Sequence, residues 1–313
     1  MALSLPVVAF TATDDDLARA AKSPYAIADF VKTHEVSNWA PLWRALEINE
    51  HSVQLTPCGL RPECRAELIA VDPLQVILLL RGGIIGWEEV FLRFRRSGSP
   101  DEPGPWRLAG HYSNLARQVK PRHELVQLGG GPYLLLTRES QEVGVGWRSV
   151  DQIWFDLTAK TFEPVFYLAI EDADSGLMGR VALHSRTKVL SFESQPVERI
   201  TVAYEVGFGY PFLSAADNGL GSRSAKAVYV RRGAKFVFDA GLSDTPEAEI
   251  DKLYNFYVDH LPSNEDLLRY LLPRLKEVAS GTNKEHIDWL KNFLTLCEDT
   301  PEKRQILARL SRR

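Results

Sequence analysis

From about Val53 to Ala240 the apolar residues recur with a period of two, and no run of helical periodicity interrupts them. A strand that packs one face on a core alternates in this way, because successive side chains point to opposite faces. Parallel strands need long crossovers, usually helical, and the sequence leaves no room for them. The pattern therefore predicts antiparallel strands joined by hairpins. Thirteen candidate strands fall in the stretch, among them Glu88–Arg95, Arg199–Val206 and the separate pair Arg180–His184 and Val189–Glu193. In the first, Val90, Leu92 and Phe94 form an apolar face. Glu89, Phe91, Arg93 and Arg95 form a mixed face that reads as open to solvent. Gly129-Gly130-Gly131-Pro132 and Arg231-Arg232-Gly233-Ala234 supply the glycine that tight turns need. Many short strands with such turns suit a barrel, a sandwich or a small propeller. A short likeness between Trp87–Leu92 and Ser149–Phe155 is too degenerate to establish propeller blades.

Helices flank this region in sequence. Thr13 followed by Asp14, Asp15 and Asp16 makes an N-terminal cap, and Ser23-Pro24 makes a second. Trp39, Leu42, Trp43 and Leu46 repeat at helical spacing, and two tryptophans one turn apart read as core. In the tail, Thr245-Pro246 places a proline at a first helical position. Ser263 caps a helix that Pro273 should kink. Thr282 with Glu285 forms a capping box before Ile287, Leu290, Phe293 and Leu294. Thr300-Pro301 opens a final helix. The fold expected is mainly β, α+β overall. Residues 1–50 form an N-terminal helical segment, 51–242 an antiparallel β domain, and 243–313 a C-terminal helical bundle.

A chain of 313 residues buries roughly three quarters of its unfolded surface. It needs neither metal nor disulfide to be stable. A formal charge of −4 gives no reason to expect nucleic acid as a partner. No apolar run is long enough for a helical membrane span. The apolar start, Met1 to Thr13, lacks a basic flank and is broken by Pro6, unlike a good export signal. The cytoplasm, or export followed by signal removal, both remain open. Cys58 and Cys64 flank a turn-rich segment and could bridge in an oxidising compartment, and Cys297 stands alone.

No motif specifies a reaction. Gly129–Gly131, Gly144-Val145-Gly146 and Gly207-Phe208-Gly209 lack the following helix that a phosphate loop uses. Glu171-Asp172-Ala173-Asp174-Ser175-Gly176 has the oxygens calcium takes but not the EF-hand spacing, so it reads as a solvated acidic turn. Seven histidines show no metal-ligand spacing. Asp156, Glu193 and Glu205 are strand carboxylates that could serve catalysis, although outward-facing charge is the simpler expectation. Aromatic residues on strands, Trp87, Trp106, Trp147, Trp154, Phe155, Phe166 and Tyr167, suit a filled core better than a sugar-binding strip. No cofactor is implied, and no metal site is assigned.

The long loop Gly207–Ala225 mixes aromatics with polar residues, and long loops carry function. Tyr210, Asp217, Asn218 and Arg223 are its candidate ligand-binding residues. The expectation is a non-catalytic binding or structural module on a β platform, with an unidentified ligand or protein as partner. A hydrolase acting on a carbohydrate or similar polymer in a β-sheet cleft is the first alternative. An adaptor working through the C-terminal helices is the second, and the same tail could join two copies of the chain.

Overall fold

A computed structural model describes residues 13–53, 55, 65–82, 87–116, 121–142, 147–176, 179–211, 219–255 and 261–312. It is 46% strand and 28% helix, with two antiparallel sheets of four and eight strands. The four-stranded sheet has the order β1 (Arg65–Asp72), β2 (Gln75–Gly82), β3 (Trp87–Gly98) and β4 (Pro103–Ala116). The other sheet runs from β5 (Arg122–Leu128) through β6 (Gly131–Glu142), β7 (Trp147–Asp156), β8 (Pro164–Asp174), β9 (Ala182–Glu193), β10 (Arg199–Gly209) and β11 (Gly221–Arg232) to β12 (Lys235–Phe238). Strand order follows chain order within each sheet, as hairpin connections require.

By contacts the chain forms two compact units. One comprises residues 1–138 and 154–165, the other 139–153 and 166–313. The division passes through β6, β7 and β8 and assigns the helical ends to different units.

In the first unit α1 (Asp14–Ala20), α2 (Pro24–Thr33) and α3 (Ala40–Ala45) pack on the four-stranded sheet. Asp16 accepts hydrogen bonds from the backbone N–H and hydroxyl of Thr13, at 3.3 and 2.7 Å, so the first cap forms as read. Ile27, Phe30, Val31, Leu42, Trp39 and Trp43 meet Leu78, Leu80, Val90, Leu92 and Phe94. The mixed face of β3 corrects the sequence reading. Glu89 and Arg93 are fully buried, and every residue of β2 is buried. The reason is a second layer: Phe91 meets His123 of β5, and Tyr112 meets Phe155. β2 and β3 are therefore covered on both faces, and their charges had to find partners inside.

The Gly129–Gly131 turn shows why glycine is needed there. Gly129 adopts φ 42°, and a Cβ on Gly131 would lie 2.3 Å from the Thr158 methyl. It is the hairpin turn between β5 and β6.

In the second unit the C-terminal helical region meets the sheet at Ser185, Tyr204 and Arg223. Its helices are α4 (Glu247–Leu253), α5 (Asn264–Tyr270), α6 (Leu272–Ser280), α7 (Lys284–Thr295) and α8 (Pro301–Leu310). Their apolar stripes are buried, including Ile250, Leu253, Leu268, Leu275, Leu290 and Phe293. Four local expectations change. Pro246 is the N-cap of α4 rather than its first helical residue. Pro273 lies in the first turn of a new helix, so the chain breaks at Leu271 instead of kinking. Asn283, not Thr282, caps α7 by accepting from the His286 N–H at 3.2 Å. The two candidate strands Arg180–His184 and Val189–Glu193 are one strand, β9. Its polar middle alternates, with Ser185 buried while Arg186 and Lys188 are exposed. Among the described residues no helix is long and apolar enough to cross a membrane.

Candidate functional site

Strand β10 ends at Gly209 and delivers Tyr210 at a fixed point. Phe208, one turn of the pleat earlier, is buried, and its carbonyl accepts from the Leu220 N–H at 3.0 Å, which closes the base of the loop. Tyr210 is 6% exposed. Its ring stacks on His286 of α7, with centroids 4.0 Å apart and planes 16° apart. It meets Trp289 edge-on at 4.9 Å and 85°. Trp289 in turn stacks on Phe293 at 5.5 Å. Residues three and four apart share a helix face, so α7 presents this aromatic ladder toward Tyr210.

The rings of Tyr210, His286 and Trp289 wall a pocket of about 380 Å³. Pro211 and Gly179 continue the wall, and Glu285, Asp288 and Asn292 of α7 complete it. Burial holds the Tyr210 phenol above its ordinary pKa, opposed by the Arg274 guanidinium, so the hydroxyl stays protonated at neutral pH. The three polar α7 residues are exposed to solvent. The pocket therefore offers flat apolar faces beside hydrogen-bond acceptors. Among its described lining residues there is no lysine or arginine.

Of the four residues read from the loop, Tyr210 lines this pocket. Arg223 does not. Its guanidinium is 3.3 Å from Glu249 and lies 5.0 Å above the Tyr270 ring, so it ties β11 to α4 and α5. Asp217 and Asn218 lie outside the described residues, as do Cys58, Cys64, Gly144–Gly146 and His260. Cys297 is buried beneath α7, and burial pushes its thiol up to about 11, which keeps it protonated.

The remaining candidates have structural partners. Asp156 is buried and accepts from the Thr158 N–H and hydroxyl, at 2.8 and 2.7 Å, which shapes the turn after β7. Glu193 pairs with Arg199, and Glu205 is exposed. Trp154, Phe155 and Phe166 are core, whereas Tyr167 is 56% exposed. His111 bonds Ser52 at 3.1 Å, and His123 lies 3.3 Å from Glu67 beside Arg81. His184 bonds Glu171 at 2.9 Å.

The acidic segment Glu171–Gly176 is not a solvated turn. Glu171 to Asp174 belong to β8, and the two strand faces separate their roles. Glu171 faces His184 and Arg148, and Arg148 also bonds Glu139 at 2.9 Å. Asp172 faces inward, where it is fully buried opposite Ser185. Neither of its carboxylate oxygens makes a well-formed hydrogen bond, although the Ser149 hydroxyl is near enough to favour the charged form slightly. Burial, reinforced by Asp151 and Glu171, raises its pKa to about 7. Ser185 cannot donate to it, because its hydroxyl is given to the Tyr254 carbonyl at 2.6 Å.

Sequence reasoning missed His286, Trp289 and Asn292. Their signal was present: they share one face of α7, beside the apolar stripe. That stripe drew the attention, and nothing in the linear order of residues joins position 210 to position 286. Among the described residues no three His, Cys, Asp or Glu side chains converge to hold a metal. Comparison of the chain with protein-family models, curated proteins and solved structures gives no match, so function rests on this geometry alone.

Proposed function

We propose that the protein is a non-catalytic binding module whose ligand site is the aromatic pocket between the end of β10 and α7. The observation that carries this is the Tyr210 ring, held 6% exposed against His286 and Trp289 at the wall of a cavity of about 380 Å³. A concave site with apolar walls and a few polar groups is the general form of a small-molecule site. Its walls come from a strand end and a helix, both rigid, so the ligand meets a largely formed surface.

The alternatives draw less support. A hydrolase needs two carboxylates flanking the scissile bond across a cleft. Glu285 and Asp288 instead stand one turn apart on a single exposed helix face. An adaptor needs an apolar stripe free on the tail. Among the described tail residues the exposed large apolar side chains are Leu296 and Leu307.

The test is a thermal-shift screen of the full chain with small aromatic, sugar and amine compounds, repeated on Trp289→Ala. A ligand that raises Tm in the parent should lose its effect in the variant. A screen without any shift, or a shift that survives Trp289→Ala, would count against the pocket.

A further inference from the structure

We infer that this pocket selects an organic cation, an ammonium group carried on a flat or apolar body. The inference rests on the binding-module reading and deepens it by naming the ligand class. Two features of the lining act in the same direction. Aromatic faces carry a negative quadrupole and attract a cation within about 6 Å of the ring centre. Glu285 and Asp288 place two carboxylates at the mouth of the same pocket. An anionic ligand would meet both with no lysine or arginine among the described lining residues to offset them.

Two nearby positive groups, Arg274 and Lys291, are already engaged. Arg274 donates to the Gly219 carbonyl at 3.2 and 3.3 Å and to Glu277 at 2.5 Å. Lys291 reaches Asp288 at 3.5 Å, but both side chains are more than half exposed, at 59% and 52%. Such a pair is weak and gives way to a better-placed cation. The start of α7 could favour an anion through its dipole. There the Asn283 side chain already takes the His286 N–H. A ligand ammonium near the carboxylates with its apolar body against Tyr210 and Trp289 satisfies both features at once.

The experiment compares four probes on the intact protein by ligand-observed NMR titration. They are 2-phenylethylammonium, 2-phenylethanol, 3-phenylpropionate and methyl β-glucoside. The first three share a ring and differ in charge. The ammonium should bind about tenfold more tightly than the alcohol, and the carboxylate should be the weakest of the three. Glu285→Gln with Asp288→Asn, both surface changes, should remove that preference. Added salt should weaken the ammonium alone. If the alcohol, glucoside or carboxylate binds as tightly as the ammonium, the cation inference is overturned and the binding pocket stands. If none of the four binds, both fail.

Discussion

Arg93 in the first unit and Asp172 in the second are both sealed from solvent, yet only Arg93 has partners for all of its side-chain nitrogens. Its Nε and one terminal nitrogen donate to the Gln75 amide oxygen at 3.1 and 2.7 Å. The other terminal nitrogen reaches the Ala159 and Thr161 carbonyls at 2.8 and 3.1 Å, and the Leu157 carbonyl closes the set. Burial draws its pKa down to about 10, still well above neutrality, so the charge persists. Asp172 has no such set. A buried carboxylate with too few donors takes up a proton instead of keeping its charge. The contrast shows two uses of a buried ionisable group. One ties a loop to a sheet through a permanent charge. The other leaves the fold sensitive to pH.

The largest effect that could break this contrast is at Arg93. Arg93→Met keeps the length and removes every donor, leaving the carbonyls of residues 157, 159 and 161 without their partner. Loss of one side of a buried charged network costs about 3–5 kcal/mol. A urea titration should show that loss as a lower midpoint. Arg93→Lys should also be strongly destabilised, because one ammonium cannot span a fork of four acceptors. A cost below about 1 kcal/mol for both variants would mean that the loop is held by other contacts.

Asp172 comes next. Its folded pKa of about 7 stands above the ordinary 3.8, so the folded state keeps a proton that the unfolded chain releases between those values. Stability from this group is therefore full below about pH 4, falls as pH rises to 7, and stays low above it. A displacement of that size corresponds to about 4 kcal/mol at most. Asp172→Asn should match the parent near pH 4 and exceed it at pH 8. Charged groups acting on the site, Asp151 of β7 and Glu171 of β8, remain in the variant. Identical pH profiles for parent and variant would show that Asp172 is not held neutral.

These two residues also mark where the sequence stopped being readable. The strands, their hairpin order and the caps at Thr13, Ser23, Ser263 and Thr300 follow from local pattern, because each is decided within a few residues. The burial of Arg93 was hidden, because the second layer over β3 comes from residues more than thirty positions away. Polar residues on one pleat face look the same in sequence whether water or another layer covers them. Asp172 was read with its acidic neighbours, yet period two separates it from Glu171 onto the opposite face. The pocket was half legible. The loop pointed to Tyr210, and its partners on α7 lie about seventy-five residues further on.

A smaller effect tests the cover over Asp172. Ser185 Oγ holds the Tyr254 carbonyl just beyond α4. Ser185→Ala removes that bond and leaves a buried carbonyl without it, a loss of about 1–2 kcal/mol. Amide exchange should speed up near the end of α4 more than in β10. Uniform loss of protection would mean that the segment opens only when the whole unit unfolds.

The smallest effect uses the substitution made at Arg93 on a second arginine. Arg148 has two carboxylate partners, Glu139 at 2.9 Å and Glu171 at 3.4 Å, but its side chain is 42% exposed. Water already satisfies much of what these carboxylates give up when the guanidinium leaves. Arg148→Met should cost under about 1 kcal/mol, and that cost should shrink as salt is raised. The same change at Arg93 should be several times larger and almost indifferent to salt, because its partners are neutral carbonyls and an amide in a dry interior. Equal costs at the two positions would show that burial is not what separates them. Unequal costs with the same salt dependence would place the difference in packing of the side-chain stem rather than in charge.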